Sequence, residues 1–176
     1  MKYALVYGLL SGLVVAATIL VVSFGLADRQ GFFASEYFGY LVMLVALTFI
    51  FVGVKRYRDV EKGGVIKFLP ALGMGLAIAA VAALAYVLVW EIYLASTGYR
   101  FMDDYIAAIA EARRAEGASP AAVAAEVASW EGIRQNYGNP LFRIPITFIE
   151  IFPVGLLVAL VSAALLRNPR LLPPSR

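Results

Sequence analysis

Residues 69–95 read "LPALGMGLAIAAVAALAYVLVWEIYLA" and contain a single charged side chain, Glu91. A helix of about 20 apolar residues crosses the ~30 Å hydrocarbon core of a bilayer. This stretch exceeds that length, and Trp90 and Tyr93 near its end are residues that favour the membrane–water interface. It therefore predicts a membrane-spanning α-helix.

Three further apolar blocks of membrane-spanning length flank this one, at about 3–27, 37–54 and 141–166. The first could also be a signal peptide, since Gly25 and Ala27 fit a cleavage site. However, its apolar run exceeds 20 residues, which is too long for a typical signal peptide, and only Lys2 precedes it. We expect a retained helix and four spans in all.

The composition supports a membrane protein and disfavours an enzyme. Of the 176 residues, 62% are hydrophobic and 15% are charged, against about half and a quarter in soluble domains. Histidine and cysteine are both absent, which excludes histidine-based triads, thiolate nucleophiles and the commonest metal ligands. We expect no catalysis, no cofactor and no metal site.

The net charge of +3 reflects orientation in a membrane rather than nucleic-acid binding. Basic residues cluster in the short segment 55–67 and near the two ends of the chain, and such residues favour the cytoplasmic side. We therefore expect both termini in the cytoplasm. The hairpin at 97–140 would then lie in the periplasm or outside the cell.

The polar segment between the last two spans predicts two amphipathic helices within about 100–137, which form a helical hairpin. Ser119 and Pro120 suit the cap and first position of the second helix. The first helix places Phe101, Tyr105, Ile109 and Ala112 on one stripe. The predicted stripe of the second is Val123, Val127, Trp130, Ile133 and Tyr137. The expected fold is an all-α, four-helix membrane bundle with an extracytoplasmic amphipathic hairpin between helices 3 and 4.

Glu91 and Glu150 are the only ionisable side chains well inside the predicted spans. An acid within the membrane usually faces the bundle interior and marks a functional path. The two carboxylates lie at similar predicted depths on helices adjacent in sequence. One hypothesis is a proton or cation shared between them; the other is that each is neutral and hydrogen-bonded, with a structural role.

Three neighbours complete this candidate site. Pro153 should kink the last helix and free the carbonyl of Ile149 beside Glu150. Thr147, one turn away, could hydrogen-bond to Glu150. Arg143, two turns away on the same face, could form a salt bridge with it.

The segment after the second span carries five basic residues that are candidate contacts for anionic lipid headgroups: Lys55, Arg56, Arg58, Lys62 and Lys67. The alternative is that they set topology and form local pairs, such as Arg56 with Asp59. Gly8 and Gly12 form a GxxxG pair that permits close helix approach and suggests a dimer face.

Two stretches, "FVGVKRYRDVEKGG" at 51–64 and "YGNPLFRIPITFIEIFPVGLLVALVSAALLR" at 137–167, resemble the bacterial domain-of-unknown-function family 4199. The resemblance implies a small four-span protein of the bacterial inner membrane and no assigned activity. The positions that match the family pattern are Arg56, Tyr57, Arg58, Asp59, Gly63, Gly64, Asn139, Pro140, Glu150, Pro153 and Gly155.

Three functions remain open from the sequence. The first is a non-enzymatic membrane protein that binds a membrane-protein partner, lipid or itself, with an apolar patch at Trp130 and Tyr137 as one candidate surface. The second is a small proton- or cation-linked transporter or channel that uses Glu91 and Glu150. The third and least favoured is an envelope or lipid enzyme based on carboxylates. The sequence does not identify the partner, substrate or oligomeric state.

Overall fold

The computed structural model describes residues 1–23 and 36–173, with side chains from 1–18 and 37–173. The described residues form six α-helices and no strand. Their bounds are α1 Lys2–Ser23, α2 Glu36–Glu61, α3 Phe68–Ser96, α4 Phe101–Ala115, α5 Pro120–Tyr137 and α6 Pro140–Leu166.

Three of the helices have the length and apolar composition needed to cross a membrane: Tyr37–Glu61, Phe68–Ser96 and Pro140–Leu166. The apolar part of α1 within the described side chains is shorter, at Lys2–Thr18. The end of the predicted span 3–27, with Gly25 and Ala27, lies outside the described residues. A helix suits these segments because it satisfies every backbone hydrogen bond within one segment, which lipid requires.

The chain divides into two compact units, Met1–Val89 with Phe148–Arg176, and Trp90–Thr147. In the first unit, α1, α2 and the larger parts of α3 and α6 pack around a core of aliphatic side chains. Leu47, Ile50, Ile78 and Ile151 are each fully buried in this core.

Small residues set the helix spacing in the first unit. A Cβ atom added at Gly8 would lie 2.5 Å from the Cβ of Val81, and one added at Gly12 would lie 2.5 Å from the Cβ of Ala85. The predicted close approach therefore occurs, but its partner is α3 of the same chain. The prediction of a dimer along the Gly8/Gly12 face is wrong, because this face is already covered.

Helix α2 ends two turns later than the predicted boundary at residue 54. The charged residues continue the helix, and Lys55 Nζ lies 2.6 Å from Asp59 Oδ2 one turn away, an arrangement that stabilises helices. Gly63 and Gly64 then adopt φ angles of +62° and +86°. The Gly64 N–H donates to the carbonyl of Arg58, which terminates the helix.

The second unit contains the predicted hairpin. Ion pairs join Arg134 to Asp103 and Arg113 to Glu126, so α4 and α5 run antiparallel. The Ser119 side chain accepts a hydrogen bond from the Ala122 N–H, with Pro120 at the first helical position, as predicted.

The buried face of α4 lies one position along from the stripe of Phe101, Tyr105 and Ile109. The buried residues are Met102, Ile106 and Ala110, while Tyr105 is 40% exposed. The aromatic side chains instead pack against one another, with ring centroids 5.9 Å apart for Phe101 and Tyr105 and 5.5 Å apart for Tyr105 and Trp130. On α5, Val123 is buried as predicted, but Ile133 is 42% exposed.

Candidate functional site

The second unit holds an ion pair between the buried Arg143 and the partly buried Glu91, one of the two acids that sequence analysis placed inside a span. Arg143 is only 2% exposed. Its Nε and Nη2 atoms each donate to one oxygen of Glu91 at 2.7 Å, and Nη1 donates to the Tyr137 carbonyl at 2.7 Å. A two-point contact of this kind suits the planar guanidinium and fixes the geometry of both side chains.

Two helix ends bring these side chains together. Gly98 and Tyr99 take φ angles of +66° and +59° directly after α3, and the Tyr99 ring centroid lies 5.1 Å from the Arg143 guanidinium carbon. At the start of α6, Asn139 caps the helix because its Oδ1 accepts from the Leu141 N–H at 3.0 Å. Pro140 then occupies the first helical position, one turn before Arg143.

The pairing corrects two expectations. Arg143 pairs with Glu91, whereas the sequence suggested Glu150 as its partner. Thr147 is buried, and its hydroxyl donates to the Arg143 carbonyl rather than serving a carboxylate. Both oxygens of Glu91 accept from Arg143, and the hypothesis of a proton or cation shared with Glu150 stays a hypothesis.

A row of aromatic side chains lies next to the pair, beginning with Tyr137, whose ring centroid is 5.9 Å from the Arg143 guanidinium carbon. Trp90 packs against Phe101 with ring centroids 4.8 Å apart, and the Trp90 Nε1 donates to the Tyr137 hydroxyl at 2.9 Å. Tyr105 continues the chain to Trp130 at 5.5 Å. The predicted exposed apolar patch at Trp130 and Tyr137 is therefore not found, because both rings are partly buried in packing within the unit.

A cavity of about 400 Å³ opens beside Arg143. Its polar lining includes Tyr99, Asp103, Glu131 and Arg134. Arg134 contacts Asp103 at 2.6 Å and Glu131 at 3.3 Å, so the charged groups of the lining are already paired with each other. Hydrogen bonds from Gln135 and then Arg134 hold the pKa of Glu131 below its usual range. Glu131 thus adds stability above its ordinary pKa, and this contribution is lost as the pH falls through the lowered value.

Glu150 has a different environment from Glu91. It lies on α6 in the first unit and is exposed, as are Ile149 and Pro153 beside it. No described residue of the first unit donates a hydrogen bond to its carboxylate or pairs with it. The predicted meeting of Glu150 with Glu91 stays a prediction.

Helix α6 is continuous from Pro140 to Leu166 despite the presence of Pro153. Two residues further on, Gly155 matters for packing. A Cβ atom added there would lie 3.0 Å from the Cβ of Ala79, so the missing side chain allows α6 to approach α3. The predicted kink itself stays a prediction.

The basic segment divides into one buried and several exposed side chains. Arg58 is fully buried, and its Nη1 and Nη2 donate to the carbonyls of Leu171 and Leu172 at 3.0 and 2.5 Å. Its Nε atom donates to Asp59 at 2.7 Å. Arg58 is therefore unavailable to a lipid headgroup, and Asp59 pairs with Lys55 and Arg58 rather than with Arg56.

The other four candidate lipid-contact residues remain accessible at the surface of the protein. Arg56, Lys62 and Lys67 are exposed, and Lys55 is partly exposed. Within the described part of the chain, no group of three or more acidic residues is placed to hold a metal ion.

The burial of Arg58 and Arg143, and the hydrogen bonds that each donates, were not predicted, although the sequence contains indications of both. Asn139-Pro140 is a helix-start signature that fixes where Arg143 lies on α6. Arg58 follows apolar residues on the inner face of α2, in step with Val54 one turn earlier, which is also fully buried. No local pattern indicated the carbonyls of Leu171 and Leu172 as its partners, because more than 100 residues separate them from Arg58.

The three apolar helices of spanning length, with a polar hairpin between the last two, define an all-helical membrane protein. The chain belongs to the family described as protein of unknown function (DUF4199), which matches residues 4–168. This confirms the family expected from the two sequence stretches. No curated protein and no solved structure matches the chain.

Proposed function

We propose that this chain is a four-span protein of the bacterial inner membrane that acts by binding within the plane of the membrane and not by catalysis. Both termini lie in the cytoplasm, and the hairpin at 97–140 lies on the outer side. The basic segment 55–67 supports this orientation. The exposed Arg56, Lys62 and Lys67 would then meet anionic headgroups at the cytoplasmic surface.

The observation that carries the binding function is Glu150, an exposed residue on a spanning helix with no described partner for its carboxylate in the first unit. Glu150 lies ten residues after Pro140, about 15 Å along the helix axis, which is close to half of the ~30 Å hydrocarbon core. A carboxylate at that depth costs several kcal/mol unless a neighbour pairs with it. A binding partner that covers this face would remove the cost.

A transporter or channel that uses Glu91 and Glu150 ranks second. Its paired-acid form requires both carboxyl groups to exchange a proton or bind a cation. Glu91 is instead held in a two-point ion pair by Arg143, and exchange there would require that pair to open. An enzyme ranks third, since the charged groups around the cavity of the second unit are paired with one another.

Replacing Glu150 by leucine should abolish the specific association in native membranes. The chain would be purified in a mild detergent as the wild type, as Glu150→Leu and as Leu88→Ala, the last changing an exposed residue of α3. We expect the wild type and Leu88→Ala to run above monomer size and to retain the same protein components. We expect Glu150→Leu to run as a monomer with lipid alone. If all three variants are monomers with lipid alone, the proposed function fails.

A further inference from the structure

We infer that the cavity of the second unit binds a phospholipid headgroup that carries both a phosphate and a primary ammonium group, the headgroup of phosphatidylethanolamine. Every residue of the cavity wall lies in Trp90–Thr147, and the structure describes this unit completely. Glu150 lies in the other unit, so this site goes beyond the proposed function and stands or falls independently of it.

The charged side chains of the cavity, taken with their ion-pair partners, carry an excess of negative charge. Arg134 is shared by two acids, with its Nε atom 2.6 Å from Asp103 and its Nη1 atom 3.3 Å from Glu131. One guanidinium therefore balances only one of these two carboxylates. Arg143 does not balance the second, because Glu91 already accepts from its Nε and Nη2 atoms at 2.7 Å. A cationic group bound in the cavity would compensate for the remaining charge.

The lining favours a primary ammonium over a metal ion or a methylated ammonium. Asp103 accepts from Arg134 through Oδ1, which leaves Oδ2 available to a ligand with N–H donors. A metal ion needs more oxygen ligands than two such carboxylates supply, and no group of three acids among the described residues is placed to hold one. A quaternary ammonium has no N–H to donate. The rings of Tyr99 and Tyr137, which would attract it, already lie 5.1 and 5.9 Å from the guanidinium carbon of Arg143.

The same wall offers donors for a phosphate beside these acids. Arg134 uses Nε and Nη1 for its two acids, so the two N–H groups on its Nη2 atom are engaged by neither, and its side chain is 48% exposed. Arg143 uses three of its five N–H groups, two for Glu91 and one for the Tyr137 carbonyl. Guanidinium groups bind phosphate oxygens strongly because the hydrogen bonds are charge-assisted. A ligand with a phosphate next to an ammonium therefore matches both signs of charge in the wall.

The position of the cavity favours a lipid over a soluble ligand. Its lining includes Leu94, near the end of α3, and Gly138, just before the start of α6, and both helices have spanning length. The cavity therefore lies where these helices leave the hydrocarbon core, which is the depth of lipid headgroups. Tyr99 and Tyr137, in the same wall, are of the residue type that favours this interface. Leu94 and Met102 add an apolar part to the wall, which suits the carbon atoms that join a headgroup to its acyl chains.

Native mass spectrometry of the delipidated full chain in detergent tests this site with defined lipids. The probes have the same acyl chains and are phosphatidylethanolamine, phosphatidylglycerol, which lacks the ammonium, and phosphatidylcholine, whose ammonium has no N–H. The wild type should bind phosphatidylethanolamine about tenfold more tightly than either of the others, the lower end of what one charge-assisted hydrogen bond contributes. Glycerophosphoethanolamine, which has the headgroup without acyl chains, should compete only weakly. Equal affinity for this soluble ester and for the lipid would overturn the assignment to a lipid.

Two matched pairs of variants test whether binding occurs in the cavity. Asp103→Asn should reduce the preference for phosphatidylethanolamine to within about threefold, whereas Asp104→Asn, an exposed neighbour in the same helical turn and outside the cavity lining, should keep it. Glu131→Gln should act like Asp103→Asn, and Glu111→Gln, which removes a comparable pair with Arg114, should act like the wild type. All four positions are at least partly exposed, so each variant should keep its helices, which circular dichroism checks. Equal affinity of the wild type for the three lipids, or an unchanged preference in Asp103→Asn and Glu131→Gln, would overturn the inference.

Discussion

Replacing Arg143 by leucine is expected to destabilise the protein by about 3–5 kcal/mol, because it leaves Glu91 as a poorly hydrated charge without a partner. Arg143 is 2% exposed and donates three hydrogen bonds of 2.7 Å, two to Glu91 and one to the Tyr137 carbonyl. The Glu91 side chain keeps 22% of its exposure, which places the expected loss toward the lower end of that range. The measurement is reversible unfolding in detergent, monitored by tryptophan fluorescence.

Two controls identify the mechanism. The double variant Glu91→Leu/Arg143→Leu removes both charges and should lose less stability than Arg143→Leu alone, since no charge is left unpaired. Arg134→Leu removes the exposed pair with Asp103 and should cost at most about 1 kcal/mol. A double variant less stable than the single would show that the pair contributes net stability and that the unpaired charge is not the main cost.

Replacing Arg58 by leucine is expected to release the segment after α6 and to cost about 3 kcal/mol. The substitution removes the donors to the carbonyls of Leu171 and Leu172, and it leaves Asp59, 13% exposed, with Lys55 alone. Each hydrogen bond from a charged group contributes about 1.5–3 kcal/mol, and leucine fills only part of the vacated volume.

A nitroxide at Pro173→Cys reports the release directly. We expect restricted motion in the wild type and free motion in Arg58→Leu. Arg56→Leu changes an exposed neighbour and should shift stability by no more than about 0.5 kcal/mol, with the label still restricted. Restricted motion in all three proteins would show that other contacts hold this segment.

The helices were largely predictable because few backbone structures other than a helix can satisfy their hydrogen bonds in lipid. The third and fourth predicted spans, 69–95 and 141–166, agree with α3 and α6 to within one residue at each end. The end of α2 was less predictable. Charged residues normally mark where a span leaves the membrane, but they also continue a helix when they pair at one-turn spacing, as Lys55 and Asp59 do.

The residues of the candidate site could be named from the sequence, but which of them pair with one another could not. Sequence analysis named Glu91, Arg143 and Thr147 together, yet assigned Arg143 and Thr147 to Glu150, the nearest acid along the same helix. The actual partner of Arg143 is 52 residues away along the chain, on another helix. Periodicity shows which residues share a face of one helix, but helix rotation and spacing decide which faces meet, and those depend on contacts such as Gly155 against Ala79.

The central claim is that protein, and not lipid, covers the face of α6 around Glu150. The most direct measurement places a photoreactive amino acid at Ile149, 63% exposed beside Glu150, and irradiates cells or native membranes. The same residue at Leu88, 62% exposed on α3, is the matched control. We predict a discrete protein cross-link from position 149 and lipid adducts alone from position 88. Lipid adducts alone from both positions would contradict the account.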